Sequence, residues 1–146
     1  MPDRGRPDVR VLVVEDDPDA RDGILATLRG VFGVVGYGAG DGEEAFSRLV
    51  AVKPDLILCD LRMPRLDGFE FVRRLRRDPR YHRILTIAVS GLGRPLDVAA
   101  TREAGFDGHV LKPLTAVTLA RLLDRAWDAR DARGRPRPWP GRAADV

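Results

Sequence analysis

Four polar clusters stand directly after aliphatic runs in this 146-residue chain, and their residue types define a chemistry. Glu15-Asp16-Asp17 follows Val11-Leu12-Val13-Val14, and Asp60 follows Leu56-Ile57-Leu58-Cys59. Ser90 follows the run 84–89, and Lys112-Pro113 follows His109-Val110-Leu111. If these runs are strands of one parallel sheet, the clusters lie beyond its carboxyl ends, where open α/β sheets bind ligands. Carboxylates gathered from neighbouring strands repel one another unless a cation or proton separates them. Hard oxygen donors with positions left for water suit Mg²⁺. Lys112 balances charge and Ser90 offers a hydroxyl. One carboxylate nucleophile, a divalent metal and two donors for phosphoryl oxygens are the equipment for phosphoryl transfer onto an aspartate.

Positioning such groups requires elements of the right kind. Short β-branched or aliphatic runs at 9–14, 34–37, 56–59, 84–89 and 109–111 read as strands. Between them lie helical patterns. Pro18 opens the first with Asp17 as its N-cap, and Ile24, Leu25, Leu28 and Phe32 form its apolar stripe. The second carries Ala45, Phe46, Leu49 and Val50. The third starts near Asp67-Gly68 and turns Phe69, Val72 and Leu75 inward, with Arg73, Arg74, Arg76 and Arg77 mostly on a solvated face. The fourth runs from about Pro95 to Ala104 and ends at Gly105. Its inner face is mostly alanine, so it buries little area and is expected to be the most loosely held. The fifth shows Leu119, Leu122, Leu123, Ala126 and Trp127 at helical spacing. Five strands alternating with five helices predict an α/β fold, a parallel sheet covered on both faces.

Composition excludes several classes. The longest aliphatic run near the N-terminus is four residues, far short of the roughly 20 a membrane span needs. A single cysteine, Cys59, cannot form an internal disulfide, which fits a reducing, cytoplasmic setting. The net charge of +3 is not spread over the chain. Residues 9–129 hold 18 Lys/Arg and 18 Asp/Glu, and the excess comes from five arginines in 130–146. The folded part therefore carries no general basic bias of the kind nucleic-acid binding needs. Residues 1–8 read as a disordered leader, 9–129 as one domain, and 130–146, rich in Arg and Pro, as a flexible tail. No internal repeat is visible. Only Lys53 and Lys112 are lysines, against 23 arginines, which draws attention to Lys112.

Val-Leu-Val-Val-Glu-Asp-Asp, Pro-Asp-Leu-Ile-Leu-Cys-Asp-Leu-Arg-Met-Pro-Arg-Leu-Asp-Gly, Ala-Val-Ser-Gly and Val-Leu-Lys-Pro occur in an order and spacing that resemble the receiver domain of two-component response regulators, over residues 9–127. The resemblance implies a flavodoxin-like sheet of order 2-1-3-4-5. It implies Asp60 as phosphoacceptor, with Mg²⁺ held by Asp16, Asp60, the Arg62 backbone carbonyl and Glu15 through water. Ser90 corresponds to the switch hydroxyl, Lys112 to the phosphate-pairing lysine, and Lys112-Pro113 to a cis peptide bond. The implied donor is a sensor or hybrid histidine kinase or a phosphotransfer protein. Phosphorylation would switch the face formed by helix four, strand five and helix five toward a downstream partner. The domain would assist its own phosphorylation and dephosphorylation without being a turnover enzyme. A chain of this length has no room for a DNA-binding output domain beside the receiver, which points to a stand-alone receiver or a relay. The stretch from Gly-Leu-Gly-Arg-Pro-Leu-Asp to Leu-Lys-Pro-Leu resembles receivers of hybrid kinases. A homodimer stays open as a partner.

Two positions depart from the family pattern or tune it. His109 stands three residues before Lys112, where receivers commonly carry Tyr or Phe, and is expected to alter the switch; a partly exposed histidine at a strand start is the plainer alternative. Leu92, two residues after Ser90, is expected to shield the site and slow dephosphorylation. Plain structural roles stand beside the chemical ones: helix capping for Asp17 and Asp60, turn chemistry for Asp67-Gly68, a loop hydroxyl for Ser90 and a buried thiol for Cys59. Two further functions compete. An aspartyl-nucleophile phosphohydrolase would share the sheet and the metal, but the haloacid-dehalogenase-like pattern places its nucleophile after strand one. A nucleic-acid binder would use the basic tail and Trp139.

Overall fold

A computed structural model describes residues 9–91 and 98–131. The chain runs β1 (Val11–Val14), α1 (Pro18–Phe32), β2 (Gly36–Ala39), α2 (Gly42–Val52), β3 (Leu56–Asp60), α3 (Gly68–Arg77), β4 (Leu85–Ser90), α4 (Val98–Ala104), β5 (Gly108–Leu111) and α5 (Ala116–Asp131), with a 3₁₀ turn at Pro79–Tyr81. The strands form one parallel sheet in the order β2-β1-β3-β4-β5. Register is set on both sides of β1, where Val11 pairs with Gly36 and with Leu56. Strand order reverses at β1 and β3, which opens a crevice beyond their carboxyl ends.

Both faces of the sheet are covered, which is why its central strands are apolar at every position. Val11, Val13, Leu56, Leu58, Leu85, Ile87 and Val110 meet Leu28 of α1 and Leu119, Leu122, Leu123 and Ala126 of α5. Leu12, Val14, Ile57, Cys59 and Ala88 meet Ala45 and Leu49 of α2, Phe71, Val72 and Leu75 of α3, and Ala104 of α4. Cys59 thus sits among apolar side chains on the face opposite Leu58, as strand alternation requires.

Several boundaries differ from the sequence reading, each for a physical reason. β2 begins at Gly36 rather than Val34, because the Val34 N–H is spent closing α1 on the Leu28 carbonyl beside Gly33 at φ 66°. In α2 the exposed Val50 is replaced on the inner face by Val52. In α3 the inward residues are Gly68, Phe71, Val72 and Leu75, an i, i+3, i+4, i+7 set, while Phe69 is only partly buried. One of the four α3 arginines turns inward. Arg76 donates to Asp107 Oδ2 at 2.7 Å and to the Gly105 carbonyl at 2.9 Å. α5 continues through Asp131, so residues 130 and 131, assigned to the tail, are helical. The leader 1–8, Leu92 and residues 132–146 lie outside the described residues.

Phe71 is fully buried and meets the Phe46 ring edge-on at 6.3 Å. Phe71→Ala should therefore destabilise the fold by about 3–5 kcal/mol in urea unfolding. Phe69→Ala, at a half-buried position, should cost clearly less. Equal losses would show that the inward face of α3 is not the one described.

Candidate functional site

β1 ends at Val14, so the next residues leave the sheet at its carboxyl edge. Glu15 stays buried at 3% exposure, and its N–H still donates to the Ala39 carbonyl of β2 at 2.9 Å. Asp16 reaches solvent. Asp17 caps α1, accepting the Asp19 N–H at 3.1 Å, while its own N–H donates to Glu15 Oε2 at 3.1 Å. The capping reading of Asp17 is therefore the one the structure supports. At the end of β3, Asp60 Oδ1 accepts the Arg62 N–H at 3.2 Å. One carboxylate oxygen from each of Glu15, Asp16 and Asp60 lies within 4.8 Å of the others.

Lys112 closes the cluster from the end of β5. Its Nζ lies 2.6 Å from Glu15 Oε1 and 3.2 Å from Asp60 Oδ2. The Lys112 N–H donates to the Ser90 carbonyl at 2.8 Å, which ties the ends of β4 and β5 together, and the Lys112-Pro113 peptide is cis. Burial works against the ammonium, but the hydrogen bonds and charges of Glu15 and Asp60 outweigh it and hold Lys112 above its usual range. Burial raises Glu15 above the usual carboxylate range, and the nearby Asp60 adds to this, against the opposing Lys112 and the Asp17 N–H. Three carboxylates facing one ammonium leave a surplus of negative charge, and the oxygen donor set fits a hard divalent cation such as Mg²⁺.

Ser90 is 5% exposed, and its hydroxyl finds no hydrogen-bond partner among the described residues. Buried hydroxyls are normally satisfied, so this one stands out at the sheet's carboxyl edge. Gly68 matters in a way turn chemistry alone does not convey. Asp67 caps α3 through the Glu70 N–H, and the Gly68 N–H donates to the Leu61 carbonyl at 3.1 Å. A Cβ at Gly68 would lie 2.5 Å from the Asp60 carbonyl oxygen, so only glycine lets α3 start against the backbone of the acidic residue. The loop is also fastened to α2: the Gly42 N–H donates to the Leu66 carbonyl at 3.1 Å, and Arg65, at φ 62°, pairs with Asp41 at 3.0 Å.

Cys59 has its thiol well above the usual range, through burial first and the neighbouring Asp60, Asp67 and Glu15 charges second. This is an inert structural thiol. His109 is 2% exposed and pairs in register with Ala88, so the partly exposed alternative is overturned. Burial lowers its pKa from 6.5. A histidine depressed in the folded state adds stability that is complete above 6.5 and is lost as pH falls through its folded value. His109→Phe should therefore flatten the acid side of the stability curve, read by urea unfolding at several pH values. An unchanged acid-side difference from wild type would contradict the burial described.

The comparisons with known proteins agree with this geometry. The sequence profile of the response regulator receiver domain matches residues 11–124. A gliding motility regulatory protein of Myxococcus xanthus is 40% identical over 121 residues, which is 80% of this chain but only 15% of that protein. An uncharacterized 14.6 kDa protein of Leptolyngbya boryana is 35% identical over 115 residues, 79% of this chain and 87% of that one. Among solved structures, the receiver domain of a sensor histidine kinase of Pseudomonas aeruginosa, described with a magnesium ion coordinated in its active-site cleft, superposes with a TM-score of 0.72 at 31% identity. The match covers 80% of this chain and 95% of that domain. Among the described residues no helix is long and apolar enough to cross a membrane. With its 2-1-3-4-5 sheet, its acidic crevice and a profile match over most of its length, this chain belongs to the response regulator receiver domain family.

Proposed function

We propose that the chain accepts a phosphoryl group on Asp60 from a phosphohistidine of a sensor or hybrid histidine kinase, or of a phosphotransfer protein. The observation that carries this reading is the position of Lys112 Nζ, 2.6 Å from Glu15 Oε1 and 3.2 Å from Asp60 Oδ2 at the carboxyl edge of the sheet. An Asp60 carboxylate oxygen attacks phosphorus, the N–P bond breaks, and the leaving imidazole retains the bonding pair and takes up a proton from solvent. Lys112 and Ser90 receive the equatorial oxygens, where charge accumulates. Asp16, Asp60, the Arg62 carbonyl and Glu15 through water would hold Mg²⁺, which supplies charge neutralisation at the phosphoryl oxygens. A lysine pulled toward phosphate must loosen its hold on Glu15, and a serine that bonds phosphate draws the end of β4 inward. Such new contacts can shift a two-state equilibrium by about 1–3 kcal/mol. The face we infer to change is α4-β5-α5, where the described residues of α4 bury only Thr101 and Ala104 and where buried His109 of β5 pairs in register with Ala88 of β4.

Incubation with acetyl phosphate and Mg²⁺ tests this by intact mass. The expected result is one added phosphoryl group, removed by hydroxylamine and absent when a chelator replaces the metal. Steady turnover of p-nitrophenyl phosphate without a stable adduct would instead establish the phosphohydrolase.

A further inference from the structure

Glycine alternates along β2 at Gly36 and Gly38 and again just past its end at Gly40, an unfavourable choice for a strand unless something must approach its backbone. The occupant of that space is α1. A Cβ at Gly38 would lie 2.9 Å from Cδ of Arg21, 3.3 Å from its Nε and 3.4 Å from its Cγ, and a Cβ at Gly40 would lie 3.7 Å from its Nη1. The strand is not free to yield, because Gly38 pairs with Val13 and its carbonyl accepts Arg48 Nη1. The Arg21 stem therefore runs along the glycine groove, and its guanidinium emerges at the carboxyl edge of β1. There Nη1 donates to the Glu15 carbonyl at 2.8 Å.

That carbonyl belongs to the peptide joining Glu15 to Asp16. The Glu15 N–H is already fixed on Ala39 at 2.9 Å, so Arg21 supplies the second restraint on this residue's backbone. With both ends held, the peptide plane that launches Asp16 has one orientation. We propose that Arg21 is a positioning residue for the metal-binding acid pair Glu15-Asp16, and that Gly38 is glycine in order to admit it. This rests on the reading of the acidic cluster as a divalent-cation site. Positioning and charge make opposite predictions. A guanidinium near the site repels a cation, so removing it should tighten Mg²⁺ binding if its charge were what mattered. If its hydrogen bond matters, removing it should weaken binding.

The test is Mg²⁺ titration of the full chain by calorimetry, with urea unfolding in Mg²⁺-free buffer alongside, for wild type, Arg21→Met, Gly38→Ala and the double variant. Gly38→Ala keeps the guanidinium charge and displaces only the stem, so it carries the test if Arg21→Met folds poorly. Each single variant should bind Mg²⁺ about ten-fold more weakly, the scale of losing a group that orients a ligand. The double variant should be no weaker than either single one, because both remove the same restraint. Mg²⁺ affinity in Arg21→Met equal to or tighter than wild type, or additive losses in the double variant, would overturn the proposal. Failure of the wild type itself to take up Mg²⁺ would sink the metal-site reading and this inference with it.

Discussion

Asp60→Asn should abolish phosphoryl acceptance from acetyl phosphate or a phosphohistidine donor while leaving the fold intact. The amide is nearly isosteric but has no anionic oxygen to attack phosphorus, and no neighbouring carboxylate can replace it. Glu15 is buried and engaged by Lys112 at 2.6 Å, and Asp16 stands in the turn after β1. Intact mass should show no adduct under conditions that label the wild type. Stability in Mg²⁺-free buffer should not fall, because Asp60 is one of the charges that raise Glu15. An unfolding midpoint equal to or above wild type, measured with the loss of labelling, would confirm that the site is held together against mutual repulsion. A variant that still labels, or that unfolds far more readily, would contradict this.

Lys112→Ala should produce the second large effect, in two readouts. Phosphoryl acceptance should fall by about 10²–10³-fold, the scale of removing one fixed donor from developing oxyanion charge. Stability should also fall, by about 1–3 kcal/mol, because Glu15 is left buried without its cation. That figure is below the one for a fully buried pair because the Lys112 side chain keeps 30% of its exposure. The pH dependence has a definite sign. Burial raises Glu15 in the folded state, and removing Lys112 removes the foremost opposing cause. A carboxyl with a raised folded value contributes stability that is present below the ordinary value of 4.5 and lost as pH rises through the folded value. The gap between Lys112→Ala and wild type should thus widen from acid toward neutral pH. A gap that stays constant would mean that Glu15 is not the group left stranded.

The site was more legible in the sequence than the packing around it. A sheet buried on both faces writes its strands as unbroken aliphatic runs, so the first polar residue after each run marks the carboxyl edge. Glu15, Asp60, Ser90 and Lys112 were readable for that reason. Asp17-Pro18 announced the start of α1 through capping chemistry that is local in sequence. Features that depend on distant partners were not readable. β2 is poor in strand formers because Gly36 and Gly38 accommodate Leu25 and Arg21 of α1, and its start was displaced because the Val34 N–H closes α1 on the Leu28 carbonyl. Phe71 and Phe69 are both aromatic and two residues apart, and only the docking of α3 at Gly68 decides which is buried. Arg76 looks like its solvated neighbours, but Asp107 and the Gly105 carbonyl draw it inward. His109 reads as a polar strand residue and is buried because the sheet is covered on that face as well.

The most direct measurement is site mapping of the modified residue. Wild-type protein is phosphorylated with acetyl phosphate and Mg²⁺, the acyl phosphate is reduced with borohydride, and the reduced residue is located by tandem mass spectrometry. A reduced side chain at position 60 alone is the predicted result. Modification at Asp16, Ser90 or a histidine, with position 60 unchanged, would contradict the account.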